Sequence, residues 1–95
     1  MPYIKKEQRF IDKKIDELSD KIRTFSDEEK EGVLNYTISR LLARSMPESN
    51  WRYKYINRAI GVLECIKLEL YRRIAGPYED TAKITNGDIE EYKGF

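Results

Sequence analysis

The sequence predicts an all-α protein: a small bundle of three helices with a C-terminal extended arm or short β-hairpin, in one domain over residues 1–95. Apolar residues recur at intervals of three and four along most of the chain, which is the helical period. Residues typical of turns separate these stretches. A chain of 95 residues is near the lower limit for one stable core, and 37% of its residues are charged. We therefore expect a homo-oligomer.

The first helix is predicted over residues 5–24. Its apolar positions form a narrow stripe, and the remaining faces are rich in Lys, Asp and Glu, so we expect them to be solvated. The stripe consists of Ile11, Ile15, Leu18, Ile22 and Phe25.

The second helix is predicted over residues 27–45. Ser26 followed by Glu29 is the pattern of a capping box, and acidic residues suit a helix N-terminus. The break around Pro47 ends this helix. Its predicted buried face contains Val33, Leu34, Ile38, Leu41 and Leu42.

The third helix is predicted over residues 51–75, with Gly76 as its C-terminal cap and Pro77 preventing continuation. It is apolar on more than one side, so several neighbours are needed to cover it. Its main apolar face consists of Ile56, Ile60, Leu63, Leu70 and Ile74. A second stripe of small residues, Asn57, Gly61 and Cys65, would allow close approach of another helix. We expect Cys65 to be a buried small hydrophobe.

The tail, residues 77–95, is predicted to be a short hairpin around a type I′ turn at Asn86-Gly87. An ordered arm without strands is the alternative. An isolated hairpin is marginal in water, so the tail would pack on its own helices or on another subunit.

Composition excludes several function classes. The net charge is +1, which argues against a nucleic acid polymer as partner. The chain contains no histidine. Catalysis by an imidazole and metal binding through an imidazole are therefore both excluded. One cysteine fits a reducing cytoplasm, and no signal peptide or membrane span is visible. We expect no catalytic residues, no metal, no cofactor and no membrane partner.

An Arg/Tyr cluster at the end of the third helix is the first candidate ligand site. Guanidinium groups match phosphate oxygens, and tyrosines can stack on a base. The alternative is that cations simply favour a helix end, with Arg73 paired to Glu69 four residues earlier. The candidate ligand contacts here are Arg72, Arg73 and Tyr78, with Lys67 and Arg58 as secondary candidates.

A second candidate group lies on the second helix. Tyr36 and Arg40 are neighbours at four-residue spacing, and Asn35 lies beside the apolar face. Such positions on facing helices build polar pockets in bundles. A hydrogen-bonded network between helices, with Asn35 and Asn57, explains them equally well.

Three segments resemble a family of short proteins found in phages and in scattered bacteria and archaea, which is known as a domain of unknown function. They are Met1-Pro2-Tyr3-Ile4 with Arg9, the stretch from Asn35-Tyr36 to Leu42, and Ile56-Asn57-Arg58 through Gly76-Pro77-Tyr78-Glu79-Asp80 with Asn86-Gly87-Asp88. The resemblance implies a small phage protein in the host cytoplasm.

Small oligomeric phage proteins are often counter-defence factors, and by analogy of size and setting we expect a non-catalytic sponge. It would sequester a nucleotide-derived immune signal of the cyclic nucleotide or ADP-ribose type. The alternative is a structural or adaptor homo-oligomer without a small-molecule ligand. In that case, the polar residues serve only helix packing and assembly.

Overall fold

The computed structural model describes residues 3–46 and 51–95. Within these ranges it is helical and contains no strand, which confirms the all-α prediction. Its helices are α1 (Asp12–Arg23), α2 (Asp27–Ser45), α3 (Tyr53–Leu70) and α4 (Gly76–Asn86), with a π-helical turn (Tyr71–Ala75) between α3 and α4 and short 3₁₀ turns at Lys6–Gln8 and Glu90–Tyr92.

The chain divides into two compact units, Met1–Arg52 and Tyr53–Phe95. The first unit contains α1 and α2, and the second contains α3 and α4. The prediction of one domain over residues 1–95 stays a prediction.

The first helix begins seven residues later than predicted, at Asp12 rather than at residue 5. The preceding residues form a single 3₁₀ turn, closed by the Gln8 amide donating to the Lys5 carbonyl at 2.9 Å. Residues 5–9 are all charged or polar, so they have no apolar face with which to hold a longer helix against α2. The stripe begins only at Ile11.

The start of α2 matches the sequence prediction. The Ser26 amide donates to Glu29 Oε1 at 3.2 Å, and the Ser26 hydroxyl donates to the same oxygen at 2.8 Å. These two bonds lower the pKa of Glu29, the hydroxyl contributing most and the amide next. Glu29 therefore satisfies a free amide at the helix entry, as the capping-box pattern predicts.

The two helices of the first unit form a hairpin with an apolar groove between them. Leu18, Ile22 and Phe25 line it from the α1 side, and Val33 and Tyr36 line it from α2. Ile22 and Val33 are half-buried, while Leu18 and Phe25 stay 37% and 42% exposed. Two helices alone therefore cover only part of each other's apolar surface.

The helix predicted to stop at Gly76-Pro77 instead continues to Asn86, so that prediction is wrong. Pro77 lies in the first turn of α4, where proline's missing N–H costs no helical hydrogen bond. The Gly76 amide donates to the Tyr71 carbonyl five residues earlier, which makes the wider π-helical turn. The chain accommodates the proline by widening one turn rather than by ending the helix.

The extended arm or hairpin predicted for the tail is also corrected, because Gly76–Asn86 is helical. Gly87 has φ +87° and donates its amide to the Lys83 carbonyl at 2.8 Å. Asn86-Gly87 therefore marks a helix C-terminus rather than a hairpin turn, and glycine suits the left-handed conformation at that position.

Most apolar side chains lie exposed. Among the described residues only Ala59 is buried, with 5% of its surface accessible. On α3, Ile60, Leu70 and Ile74 are 60%, 60% and 63% exposed. Cys65 is exposed as well, which corrects the expectation that it is buried. Within each unit of the described chain, the helices in contact are ones that follow each other in the sequence.

Candidate functional site

The π-helical turn carries two of the predicted ligand contacts of the second unit, Arg72 and Arg73. It comprises Tyr71–Ala75 and is followed at once by α4. A Cβ built on Gly76 would lie 3.3 Å from the Tyr71 carbonyl oxygen, closer than side chains normally come to a backbone atom. A residue larger than glycine at this position would therefore require the turn to shift slightly. Single π-helical turns are rare in helices and are frequent at functional sites.

A hydrogen bond ties the π-helical turn to α4. The Tyr71 hydroxyl donates to Glu79 Oε2 at 2.5 Å, eight residues further along. In an uninterrupted α-helix, positions seven apart share a face. The wider turn adds one residue to that interval, so positions 71 and 79 align. The bond to Glu79 and its negative charge raise the pKa of the Tyr71 phenol.

The predicted cations of α3 and the turn differ in their availability. Arg73 pairs through Nε with Glu69 Oε1 at 3.3 Å, as the four-residue spacing predicts. Lys67 pairs with Glu64 at 3.2 Å. Arg72 is exposed and makes no ion pair or hydrogen bond within the described ranges. Arg72 is therefore the cation of this set that is most available to an anion.

We define the junction cluster as Tyr71, Arg72, Arg73, Tyr78 and Glu79. Its side chains fan out around the helix. Adjacent residues project about 100° apart in a helix. Arg72 and Tyr78, whose interval of six includes the extra residue of the wider turn, project about 140° apart. Tyr78 is 75% exposed. One copy of the cluster therefore offers separate contacts rather than a closed pocket.

The predicted residues of α2 form a separate group in the first unit. Arg40 Cζ lies 5.9 Å from the centre of the Tyr36 ring, the contact expected from their spacing. The Ser39 hydroxyl donates to the Asn35 side-chain oxygen at 3.3 Å. Tyr36, 64% exposed, also borders the groove of the α1–α2 hairpin. This group presents a cation and an aromatic ring beside an apolar groove.

Arg58 does not belong to the junction cluster. It lies fourteen residues before Arg72 on α3, which corresponds to about 21 Å of helix. Its guanidinium carbon is 5.9 Å from the ring centre of Tyr55, and Lys54 Nζ is 5.0 Å from that centre. Sequence reasoning did not single out this Tyr55 contact, although three- and four-residue spacing is the signal for such pairs.

Sequence reasoning also missed Glu79 as a member of the junction cluster. The eight-residue interval from Tyr71 is not a helical repeat, so nothing in an α-helical pattern relates the two residues. The Gly-Pro pair was the available signal, because proline is common both in the first turn of a helix and just beyond a helix end.

Metal ligands and membrane-spanning helices both bear on the kind of site. Across residues 3–46 and 51–95, no three Asp, Glu, Cys or His side chains gather as a possible metal site. Within the same ranges no helix has the length and apolar character needed to cross a bilayer.

By fold the described chain is an all-α protein of short helices, and its most distinctive surface is an arginine–tyrosine cluster at a π-helical turn. The chain belongs to the family described as Domain of unknown function (DUF6899), whose model matches residues 1–89. No curated protein and no solved structure matches it. The sequence resemblance predicted a domain-of-unknown-function family, and the match is to such a family. The phage setting stays a prediction.

Proposed function

We propose that the chain is a non-catalytic, homo-oligomeric binding protein that sequesters a small nucleotide-derived anion. The observation that carries this proposal is Arg72, an exposed guanidinium at a π-helical turn with no ion pair or hydrogen bond among the described residues. In the setting suggested by the sequence, the protein acts in the host cytoplasm as a phage counter-defence sponge for a cyclic nucleotide or ADP-ribose-type signal.

The chemistry of the cluster suits such a ligand. A guanidinium presents a fork of donors that matches two phosphate oxygens, and an exposed tyrosine ring such as Tyr78 can stack on a base. Arg73 and Lys67 already pair with carboxylates, so we assign them supporting roles. Tyr36 and Arg40, with Asn35, offer a second cation and ring on α2, and Arg58 remains a secondary candidate.

The fan-shaped arrangement favours a ligand held between copies of the chain. Because Arg72 and Tyr78 project in different directions, a small ligand meets only part of the cluster on one copy. Oligomerisation supplies the missing contacts. A sequestering protein then needs buried polar contacts and no general base, which fits a chain without histidine.

Calorimetric titration against a panel of cyclic nucleotides and ADP-ribose derivatives tests the proposal. We expect one class to bind and to be recovered intact by chromatography. Arg72→Ala should weaken binding by tenfold or more, because a charge-assisted contact contributes about 1.5–3 kcal/mol. Arg44→Ala is the matched control, since Arg44 is another exposed arginine without a hydrogen bond or ion pair among the described residues. Absence of any binder, or equal weakening by both changes, would contradict the proposal, and turnover of the ligand would indicate an enzyme.

A structural or adaptor homo-oligomer without a ligand is the second candidate, and the many exposed apolar side chains favour it. Arg72→Ala and Tyr36→Phe distinguish the two. Under the adaptor hypothesis these changes alter the oligomer mass or the melting temperature. Under the sponge hypothesis both properties stay unchanged while binding is lost.

A further inference from the structure

Tyr71 ties the start of the π-helical turn to two positions of α4. Its backbone carbonyl accepts a hydrogen bond from the Gly76 amide, and its hydroxyl donates to Glu79 Oε2 at 2.5 Å. That distance is typical of a hydroxyl bonded to a carboxylate, which is a stronger bond than one between neutral groups. The turn is therefore held through both the backbone and a side chain.

Arg72 and Tyr78, the proposed ligand contacts, lie just inside the segment that this side-chain bond closes. Arg72 directly follows Tyr71, and Tyr78 directly precedes Glu79. In a helix, the direction of each Cα–Cβ bond is set by the local backbone. Fixing the two ends of the segment therefore fixes the directions in which the Arg72 and Tyr78 side chains project.

The side-chain bond also distinguishes the wider turn from a regular one. In an uninterrupted α-helix, positions 71 and 79 would project about 80° apart. The extra residue of the π-helical turn brings these two positions into line. Replacing that turn by a regular one would also rotate Tyr78 by about 100° around the helix axis relative to Arg72. The bond thus favours one arrangement of the two ligand contacts over the other.

We propose that Tyr71 and Glu79 are positioning residues of the ligand site. Their hydrogen bond holds the π-helical turn in the arrangement that presents Arg72 and Tyr78 to the ligand. Because the turn is held before the ligand arrives, less conformational freedom is lost on binding. The inference rests on the proposed function, since it concerns the same site and the same class of nucleotide-derived anion.

The charge of Glu79 has an effect of the opposite sign, and the two effects can be separated. A carboxylate near the site repels an anionic ligand, so an effect of charge alone would make binding tighter whenever Glu79 is neutralised. A positioning role needs only an acceptor oxygen for the Tyr71 hydroxyl. Glu79→Gln keeps an acceptor oxygen and removes the charge, whereas Glu79→Ala removes both.

Calorimetric titration of the full chain with ADP-ribose and with cyclic AMP tests the positioning role. Tyr71→Phe removes the donor and Glu79→Ala removes the acceptor. We expect each to weaken binding about threefold to tenfold, the range expected when one long side chain must be ordered on binding. Glu79→Gln should bind at least as tightly as the native chain. Tyr53→Phe is the matched control, because Tyr53 is an exposed tyrosine of α3 without a hydrogen bond in the described ranges.

A double-mutant cycle separates positioning from a general loss of stability. Tyr71→Phe should weaken binding less in an Arg72→Ala background than in the native chain, because no guanidinium remains to be positioned. An equal loss in both backgrounds overturns the inference. Circular dichroism verifies that the variants remain helical. Should Tyr71→Phe fail to fold, weaker binding by Glu79→Ala than by Glu79→Gln still supports the inference, and equal binding by the two overturns it.

The remaining outcomes contradict the inference in distinguishable ways. If the native chain binds a probe and Tyr71→Phe binds it equally well, the inference fails while the proposed function stands. Tighter binding by both Glu79 variants would mean that Glu79 acts only through its charge. A native chain that binds neither probe overturns the proposed ligand class and this inference together.

Discussion

A single hydrogen bond from Tyr71 to Glu79 connects the π-helical turn with α4. It needs a protonated phenol, which is why it raises the pKa of Tyr71 above the usual value of 10.0. Its stabilising effect is complete below pH 10 and is lost as the pH rises through the raised pKa. The junction therefore weakens in alkali, whereas neutral and mildly acidic conditions leave it intact.

We expect one of the seven tyrosines to ionise later than the rest in an ultraviolet titration of phenolate. Tyr71→Phe should remove that late component. Glu79→Gln should move the late transition down toward the others, because the carboxylate charge is gone. If Glu79→Gln leaves the ionisation of every tyrosine unchanged, the hydrogen bond from Tyr71 to Glu79 does not form in solution.

The capping carboxylate of Glu29 gives the opposite pH dependence. Its pKa lies below the ordinary carboxyl value of 4.5, chiefly because the Ser26 hydroxyl donates to it. Its stabilising effect is present above pH 4.5 and is lost as the pH falls through the lowered pKa. We expect acid unfolding, followed by circular dichroism, to be less steep in Glu29→Gln than in the native chain. Glu28→Gln, one position earlier and without this bond, should resemble the native chain.

At the scale of the helices, the glycines of α3 and α4 offer a matched comparison. A Cβ at Gly61 would meet no atom within 4 Å, whereas one at Gly76 would crowd the Tyr71 carbonyl. Gly61→Ala should therefore stabilise the protein by about 1 kcal/mol through helix propensity. Gly76→Ala should not bring this stabilisation. The added Cβ would crowd the Tyr71 carbonyl, and that carbonyl is fixed by the hydrogen bond it accepts from the Gly76 amide. Thermal unfolding of the two variants tests this. Equal stabilisation would show that the π-helical turn relaxes easily.

Helix type and period were predictable from the sequence, and helix ends only partly. The α2 start was found because Ser26 and Glu29 act locally. The ion pair between Arg73 and Glu69 was found because four-residue spacing fixes it. The Gly-Pro junction was misread because proline fits both the first turn of a helix and the residues beyond a helix end. Which of the two occurs depends on a turn geometry that local patterns do not encode.

Burial was the least predictable property. The apolar stripes of α1 and α3 follow the helical period. The period indicates only which face of a helix is apolar, and not which other surface packs against that face. Cys65 was expected inside because its neighbours are apolar, and it is exposed on the described chain. Arg40 and Arg72 lie on helical turns as predicted, whereas Tyr78 was predicted in the tail and lies in α4. Whether such side chains converge on one ligand depends on packing that sequence spacing cannot give.

At the scale of the whole molecule, stability should depend on protein concentration. In the homo-oligomer we propose, association of the native state would raise the melting temperature by mass action, so dilution would lower it. We expect the melting temperature of the native chain to fall with each tenfold dilution. A native melting temperature independent of concentration would indicate that the exposed apolar surface contributes nothing through association.

Within each unit, the contacts between helices join elements that are neighbours in the sequence, and this has a kinetic consequence. Chains dominated by local contacts need little loop closure before they gain energy, and helical proteins of this kind fold in microseconds to milliseconds. Helix formation in this chain should therefore be rapid and unimolecular. A slower phase whose rate scales with protein concentration in a stopped-flow experiment would be a collision between chains, whereas a slow phase independent of concentration would be isomerisation at the three prolines.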